Sequence, residues 1–471
     1  MKMFTLAAAS AALASISLTV PAQAQSAQER LDARYGRALA AGYKALMLCS
    51  GIANAERNGM TRTPESIHAW ELTGIQAPLD SIVRNLPYEI VRGAPIEFRS
   101  PDDGFVRHVT VEWTEDMPSR VAVNTGESGC KVMPIGFDPE TLEDIAASFR
   151  LTSPVPPPSI LRENAALETL MSAAFDGTYG EGSRTTAVSV FADNNIQSEM
   201  FAEGFTRHTP QRTWSVAKSI AATFVGMAVL DGAADIGASA NAGEGPGDPR
   251  HAITIDQMLR MASGRYSDTA GNRTDPLYWG GTTVDERAAN WPLVYRPGTI
   301  YRYANNDTLM AVEAIQPWVQ KRSAKHLLKK LGMFGAAVET DWQGNFVLSS
   351  QVWASTDDLM SLGQLYLRDG LSSFGQRILP EGWREYVSDP SGPQPEGRQW
   401  GYGAGFWTFR RPEGNAFEGI PDDAFAARGN RGQYVVIVPS RDVVIVRRGE
   451  DMVGTRFDIA AFTKDVLAAL E

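Results

Sequence analysis

Apolar residues recur along this chain with two periods, and the switching between them outlines the fold before any motif is considered. Between residues 27 and 48, Leu31, Tyr35, Leu39, Tyr43 and Leu46 or Met47 return at helical spacing, which predicts a helix with one buried side. Val109, Val111 and Trp113 alternate as in a half-buried strand, and residues 96–99 and 120–124 read as neighbouring strands. Residues 25–150 are therefore expected to form a small α+β domain. Pro154-Val155-Pro156-Pro157-Pro158-Ser159 fits neither a helix interior nor a central strand, so residues 151–165 read as a linker.

Beyond the linker the pattern predicts a helix over 165–174, then strands over 185–192 and 197–205 joined around Asp193-Asn194-Asn195 as a hairpin. Ile220, Phe224, Val225 and Val229 mark a helix opening at Ser215 and stopping at Asp231-Gly232. Residues 232–345 alternate helical patterns with Gly-, Asp- and Asn-rich loops, which suggests a helical subdomain. Strands over 432–438 and 442–446 flank Pro439-Ser440-Arg441, and residues 458–470 form an amphipathic helix. Strands near both ends of residues 166–471, with helices between, imply one antiparallel sheet flanked by helices in an α/β (α+β) architecture.

Composition narrows the function classes. The chain has 471 residues, 43% hydrophobic, and a formal net charge of −11, which argues against broad nucleic-acid binding and against adhesion to anionic membranes. Lys2, the apolar run at 4–20 and Ala22-Gln23-Ala24 read as a secretory signal peptide over 1–24, with a transmembrane anchor as the alternative. A secreted protein in a bacterial periplasm is the expectation. The two cysteines, Cys49 and Cys130, would pair in such a compartment, or else stay as separate buried thiols. A bridge closing so long a loop would contribute roughly 4 kcal/mol.

Candidate chemistry is concentrated in three stretches. Trp214-Ser215-Val216-Ala217-Lys218 puts a hydroxyl and an amine on one face of a helix, and burial of Lys218 would favour its neutral form as a base. The alternative is a serine that caps a core helix and a lysine that extends to solvent. Tyr303-Ala304-Asn305 offers a phenol and an amide. Arg428-Gly429-Asn430-Arg431-Gly432-Gln433 feeds a strand through glycines that let backbone approach a ligand. The five histidines, His68, His108, His208, His251 and His326, are scattered without metal-ligand spacing, so neither a metal nor a cofactor is expected.

In this order the motifs resemble those of the penicillin-recognising serine hydrolases, which include class C β-lactamases, D-Ala-D-Ala carboxypeptidases, esterases and 6-aminohexanoate-dimer hydrolases. Met261-Ala262-Ser263-Gly264, Pro297-Gly298-Thr299, Ala354-Ser355-Thr356-Asp357-Asp358 and Trp400-Gly401-Tyr402-Gly403 extend the likeness over residues 166–471. The resemblance implies a β-lactamase/transpeptidase-like fold in which Ser215 is acylated, Lys218 takes its proton and Tyr303 acts as acid and base. Asn305 would hold Lys218 or the substrate amide, and the N–H groups of Ser215 and Gln433 would form an oxyanion hole. Asn430-Arg431-Gly432 stands where relatives carry K-T-G or H-x-G. If those residues lie on a strand, Asn430 and Gly432 share the substrate face and the usual cation is missing unless Arg428 replaces it. The expected activity is hydrolysis of a small ester, amide or peptide-like substrate through an acyl-enzyme. A β-lactamase, a D-Ala-D-Ala carboxypeptidase and a non-catalytic periplasmic binding module are the alternatives.

Overall fold

Residues 22–93, 104–142, 164–266 and 274–471 are described by a computed structural model, with side chains from residue 26 onward. Residues 1–21 of the expected signal peptide, the expected strand at 96–99 and the proline-rich segment lie outside the described residues. The first helix, Ala22–Arg57, is longer than its sequence pattern suggests. It buries Leu39, Tyr43, Leu46 and Met47, but Leu31 and Tyr35 are 61% and 43% exposed because the first turns run past the elements the helix packs on. Periodicity sets which side faces inward and leaves open how far the packing partner extends.

That helix covers a four-stranded antiparallel sheet whose strands, Tyr88–Arg92, Val106–Val111, Arg120–Asn124 and Cys130–Val132, pair in sequence order. Cys49 and Cys130 are joined as a disulfide, which ties the helix to the last strand. The opposite side of the helix packs on the larger unit. The Tyr43 ring lies 4.8 Å from that of Trp279, and a Cβ on Gly42 would stand 2.0 Å from the Trp279 carbonyl, so glycine allows the close approach. Leu46 and Ile52 consequently belong to the same apolar cluster as Val216, Ile220 and Trp353.

The larger unit is built on a seven-stranded antiparallel sheet. Its order is Gly401–Tyr402, Trp407–Thr408, Phe425–Gly429, Gln433–Val438, Val443–Gly449, Thr185–Ala192 and Asn195–Phe201. The first and last strand pairs of the sequence meet in mid-sheet, as their apolar runs predict. Asp193 and Asn194, at φ of 49° and 61°, supply the left-handed pair that a two-residue hairpin needs. Helices Val216–Leu230 and Thr356–Leu367 pack on one face. On the other, helices Ala165–Ala173 and Ile459–Ala469 bury Leu167, Met171, Phe462 and Val466 against Val188, Val436 and Ile445. Short helices between Ile255 and Lys330, linked by long loops, form the helical subdomain. Among the described residues no helix is long and apolar enough to cross a membrane.

Candidate active site

The helix Val216–Leu230 is buried from Val216 through Ala228, and Ser215 sits at its N-cap. Trp214, just before it, has φ of 50°, a strained value for a bulky residue. The turn is held by stacking: the Arg212 guanidinium lies 4.0 Å from the Trp214 ring and 4.9 Å from that of Trp279. Ser215 makes no side-chain capping bond, and Lys218 is 1% exposed. The serine therefore occupies the N-cap without capping through its hydroxyl, and the lysine does not reach solvent. Instead Lys218 Nζ lies 3.2 Å from Ser215 Oγ, donates to Asn305 Oδ1 at 2.6 Å and donates to the Ser349 carbonyl at 2.8 Å.

This coordination fits a neutral amine. In the neutral form two carbonyl acceptors take the two N–H bonds of –NH2 and leave the lone pair for the serine hydroxyl, whereas in the ammonium form all three oxygens accept. Burial alone lowers the Lys218 pKa to about 7, because a low-dielectric site disfavours the ammonium. Asn305, in the first turn of helix Asn305–Glu313, is held in turn by donation of its Nδ2 to Thr274 Oγ1 at 2.9 Å.

Tyr303 precedes that helix, with its phenol beside the Ser215 side chain. Lys218 Nζ lies 5.0 Å from its ring centroid. Burial raises the Tyr303 pKa to about 12, while the neighbouring Ser215 hydroxyl and the Arg428 charge act in the opposite direction. Near neutral pH the group is a phenol. The loop bearing it rests on Met261–Gly264, where Arg302 N–H donates to the Met261 carbonyl at 2.8 Å and Gly298 N–H to the Ala262 carbonyl at 2.7 Å. Ser263 and Arg265 both donate to buried Asp307 at 2.8 Å, which fixes the start of the helix after Asn305. Tyr402 and Trp407 flank the Tyr303 ring, at centroid distances of 6.1 and 5.7 Å.

The third stretch departs from its sequence reading. Residues 430–432 form a tight turn and not a strand, since Arg431 and Gly432 have φ of 56° and 78°, incompatible with an extended backbone. The strand beside the nucleophile ends at Gly429. A Cβ there would lie 2.3 Å from the Thr213 carbonyl and 3.1 Å from Ser215 N, so only glycine fits so close to the helix start. Asn430 is exposed in the turn. The Gly432 carbonyl accepts from Arg447 Nη1 at 2.9 Å, and Arg447 and Asp451 fill the space where its side chain would be. Gln433 lies in the next strand, opposite Gly429. Its amide is engaged with the Gly449 carbonyl and with Arg448 Nε at 2.6 Å.

Ser215, Lys218, Tyr303 and Asn305 thus converge, whereas the side chains of Asn430 and Gln433 do not join them. Two participants were not singled out by the sequence, the Ser349 carbonyl and the Thr274 hydroxyl behind Asn305. A cation does lie nearby, but on the other face of the strand. The Arg428 guanidinium is boxed by Trp400 at 4.1 Å, Trp407 at 5.1 Å and Tyr434 at 5.7 Å. Among the described residues it faces no carboxylate, and its Nε is buried without an acceptor. No group of three His, Cys, Asp or Glu side chains among the described residues could hold a metal ion.

Two solved structures share the fold. A Bacillus anthracis protein described as a 6-aminohexanoate-dimer hydrolase aligns with a TM-score of 0.52 at 18% identity, over 67% of this chain and 88% of its own. A Bacteroides dorei protein described as a β-lactamase aligns with a TM-score of 0.50 at 19% identity, over 65% of this chain and 98% of its own. No curated protein matches the chain. The family model named Beta-lactamase matches residues 173–470, more than half of the chain and all seven strands of the larger sheet. The chain belongs to the Beta-lactamase family.

Proposed function

We propose that this chain is an exported serine hydrolase that cleaves an ester or amide through an acyl-enzyme on Ser215. One observation carries the reading: Lys218 is buried, has two carbonyl acceptors, and directs its remaining valence at Ser215 Oγ. Lys218 Nζ takes the hydroxyl proton as Oγ bonds to the substrate carbonyl carbon. The resulting oxyanion is held by the N–H groups of Ser215 and Asn430, which replaces Gln433 in that role because the strand ends at Gly429. Tyr303 Oη–H protonates the departing alcohol or amine, the C–O or C–N bond breaks, and Lys218 returns its proton to the phenolate. Water then attacks the acyl-enzyme, giving up its proton to the Lys218/Tyr303 pair, and Ser215 leaves with a proton from it. The Cys49–Cys130 bridge supports export, since it suits an oxidising compartment. The family and the fold shared with the 6-aminohexanoate-dimer hydrolase support a linear amide or short ester as substrate.

A fluorophosphonate serine probe followed by peptide mass spectrometry tests this reading. Label is expected on Ser215, and p-nitrophenyl butyrate should be turned over by the wild type and not by Ser215→Ala. An unlabelled Ser215 with no turnover would leave a non-catalytic binding module. Arg428 favours a second reading, a β-lactamase or D-Ala-D-Ala carboxypeptidase whose substrate carries a carboxylate. A chromogenic cephalosporin cleaved faster than the neutral ester, with the advantage lost in Arg428→Gln, would select it.

A further inference from the structure

Residues 430–432 are fastened by contacts from two directions, and one comes from outside the matched family region. Arg431 adopts a left-handed conformation, φ 56°, which a side chain tolerates only where its surroundings impose it. Its residue is 5% exposed. The guanidinium donates to the carbonyls of Trp70 at 2.9 Å, Glu71 at 3.2 Å, Thr73 at 2.8 Å and Glu450 at 3.2 Å, and pairs with the Glu450 carboxylate at 2.7 Å. A planar fork with five donors can serve so many acceptors at once, and an ammonium cannot. The segment it grips is itself fixed. Arg62 and Glu71 form a buried ion pair at 2.8 Å, Tyr43 of the first helix donates to the Glu71 carbonyl at 3.2 Å, and Val453 N–H donates to the Gly74 carbonyl at 2.9 Å.

The remaining bonds of the turn use its carbonyls. Asp451 N–H donates to the Arg431 carbonyl at 3.2 Å and Arg447 to that of Gly432 at 2.9 Å, and among the described residues no backbone carbonyl outside the turn accepts from the Asn430 N–H, the oxyanion donor of the proposed reaction. Two residues before Arg431 is Gly429, packed against the nucleophile's own backbone. A shift of the turn therefore moves the oxyanion donor. We propose that Arg431 is a positioning residue for acyl transfer: by locking residues 70–73 of the N-terminal unit onto the 430–432 turn, it makes that unit a structural part of the active site. The inference rests on the acyl-enzyme reading above. The matched family region begins at residue 173, so this brace is supplied by sequence that the family model does not include.

The test uses the full-length, disulfide-intact protein and the variant Arg431→Gly, which removes the guanidinium while relieving the left-handed backbone. Active-site titration with the serine probe counts folded sites, and p-nitrophenyl butyrate gives kcat and KM per site. The expected result is a kcat loss of about 10- to 100-fold with KM changed less than about 3-fold, the cost of a misplaced donor. Millimolar guanidinium should restore part of the kcat, and Arg431→Lys should recover less than half of the loss. Wild-type kcat per titrated site in Arg431→Gly would overturn the proposal, as would a loss that guanidinium leaves untouched. If Arg431→Gly yields no folded protein, Glu450→Gln, which removes only the ion pair, is expected to lower kcat at constant KM, and an unchanged kcat there would overturn it. A wild type that neither labels nor turns over would sink the acyl-enzyme reading first, and this one with it.

Discussion

The helix start at 213–218 and the strand end and turn at 429–433 meet at the same serine, but in the proposed acyl transfer they would carry their chemistry in different atoms. The first works through side chains: a hydroxyl, an amine, and the phenol and amide of 303 and 305 that close on them. The second works through backbone, with a glycine whose missing Cβ permits contact and an N–H that follows it. Deleting a side chain should therefore abolish the first half outright, and adding one should damage the second. Ser215→Ala is expected to lose all probe labelling and at least about 10³-fold in kcat/KM, measured on p-nitrophenyl butyrate. Gly429→Ala comes next. Its methyl would press on the Thr213 carbonyl and Ser215 N, with an expected kcat loss of roughly 10²-fold and about 1–3 kcal/mol of stability in urea unfolding. Full activity in Gly429→Ala would break the comparison, since the strand end would then not need its close approach.

The same difference governs what could be read in the sequence. Ser215, Lys218, Tyr303 and Asn305 are visible because side-chain chemistry needs particular residue types at particular spacings. The hairpins at 185–201 and 433–449 are visible because alternation of apolar residues follows the pleat. Backbone participants leave no such trace. The Ser349 carbonyl could belong to any residue type, and Asn430-Arg431-Gly432 read as strand because nothing in three letters shows a left-handed arginine. That conformation is imposed by Glu450 and by carbonyls at 70–73, more than 350 positions away in the chain. Likewise the N-terminal unit has no catalytic motif, yet Tyr43 and Gly42 pack on Trp279 in the core that supports the nucleophile. Contact across such distances is a tertiary fact.

Titration separates the two halves more finely. The Lys218 pKa is lowered by burial to about 7, so the neutral base is lost as pH falls below that value. In a pH profile, kcat/KM should rise about tenfold per pH unit at acid pH and level off above about 7. The turn holds no group that titrates in this way. Gly429→Ala should accordingly lower the profile by one factor at every pH, without moving its midpoint. A shifted midpoint would mean that the strand end acts through Lys218 and not through its own N–H.

The smallest expected effect lies outside both halves, at Glu339. This carboxyl is 0% exposed and accepts from Ser50 Oγ at 2.5 Å and from Cys130 N–H at 2.9 Å, so it links the N-terminal unit to the core beside the disulfide. Burial raises its pKa from 4.5 to about 7, the opposite direction from Lys218 although desolvation is the cause in both. The folded protein thus binds a proton at Glu339 that the unfolded chain releases above pH 4.5. Its contribution to stability is complete below that pH and is lost as pH rises towards 7, to the extent of roughly 3 kcal/mol. Asp357, also raised by burial to about 7, acts with the same sign, so the wild type should lose stability across this window in urea titrations. Glu339→Gln keeps an uncharged hydrogen-bonding group and should remove only its own share of that slope. The kcat/KM profile should stay where Lys218 sets it, because a link between units can titrate without any proton reaching the serine.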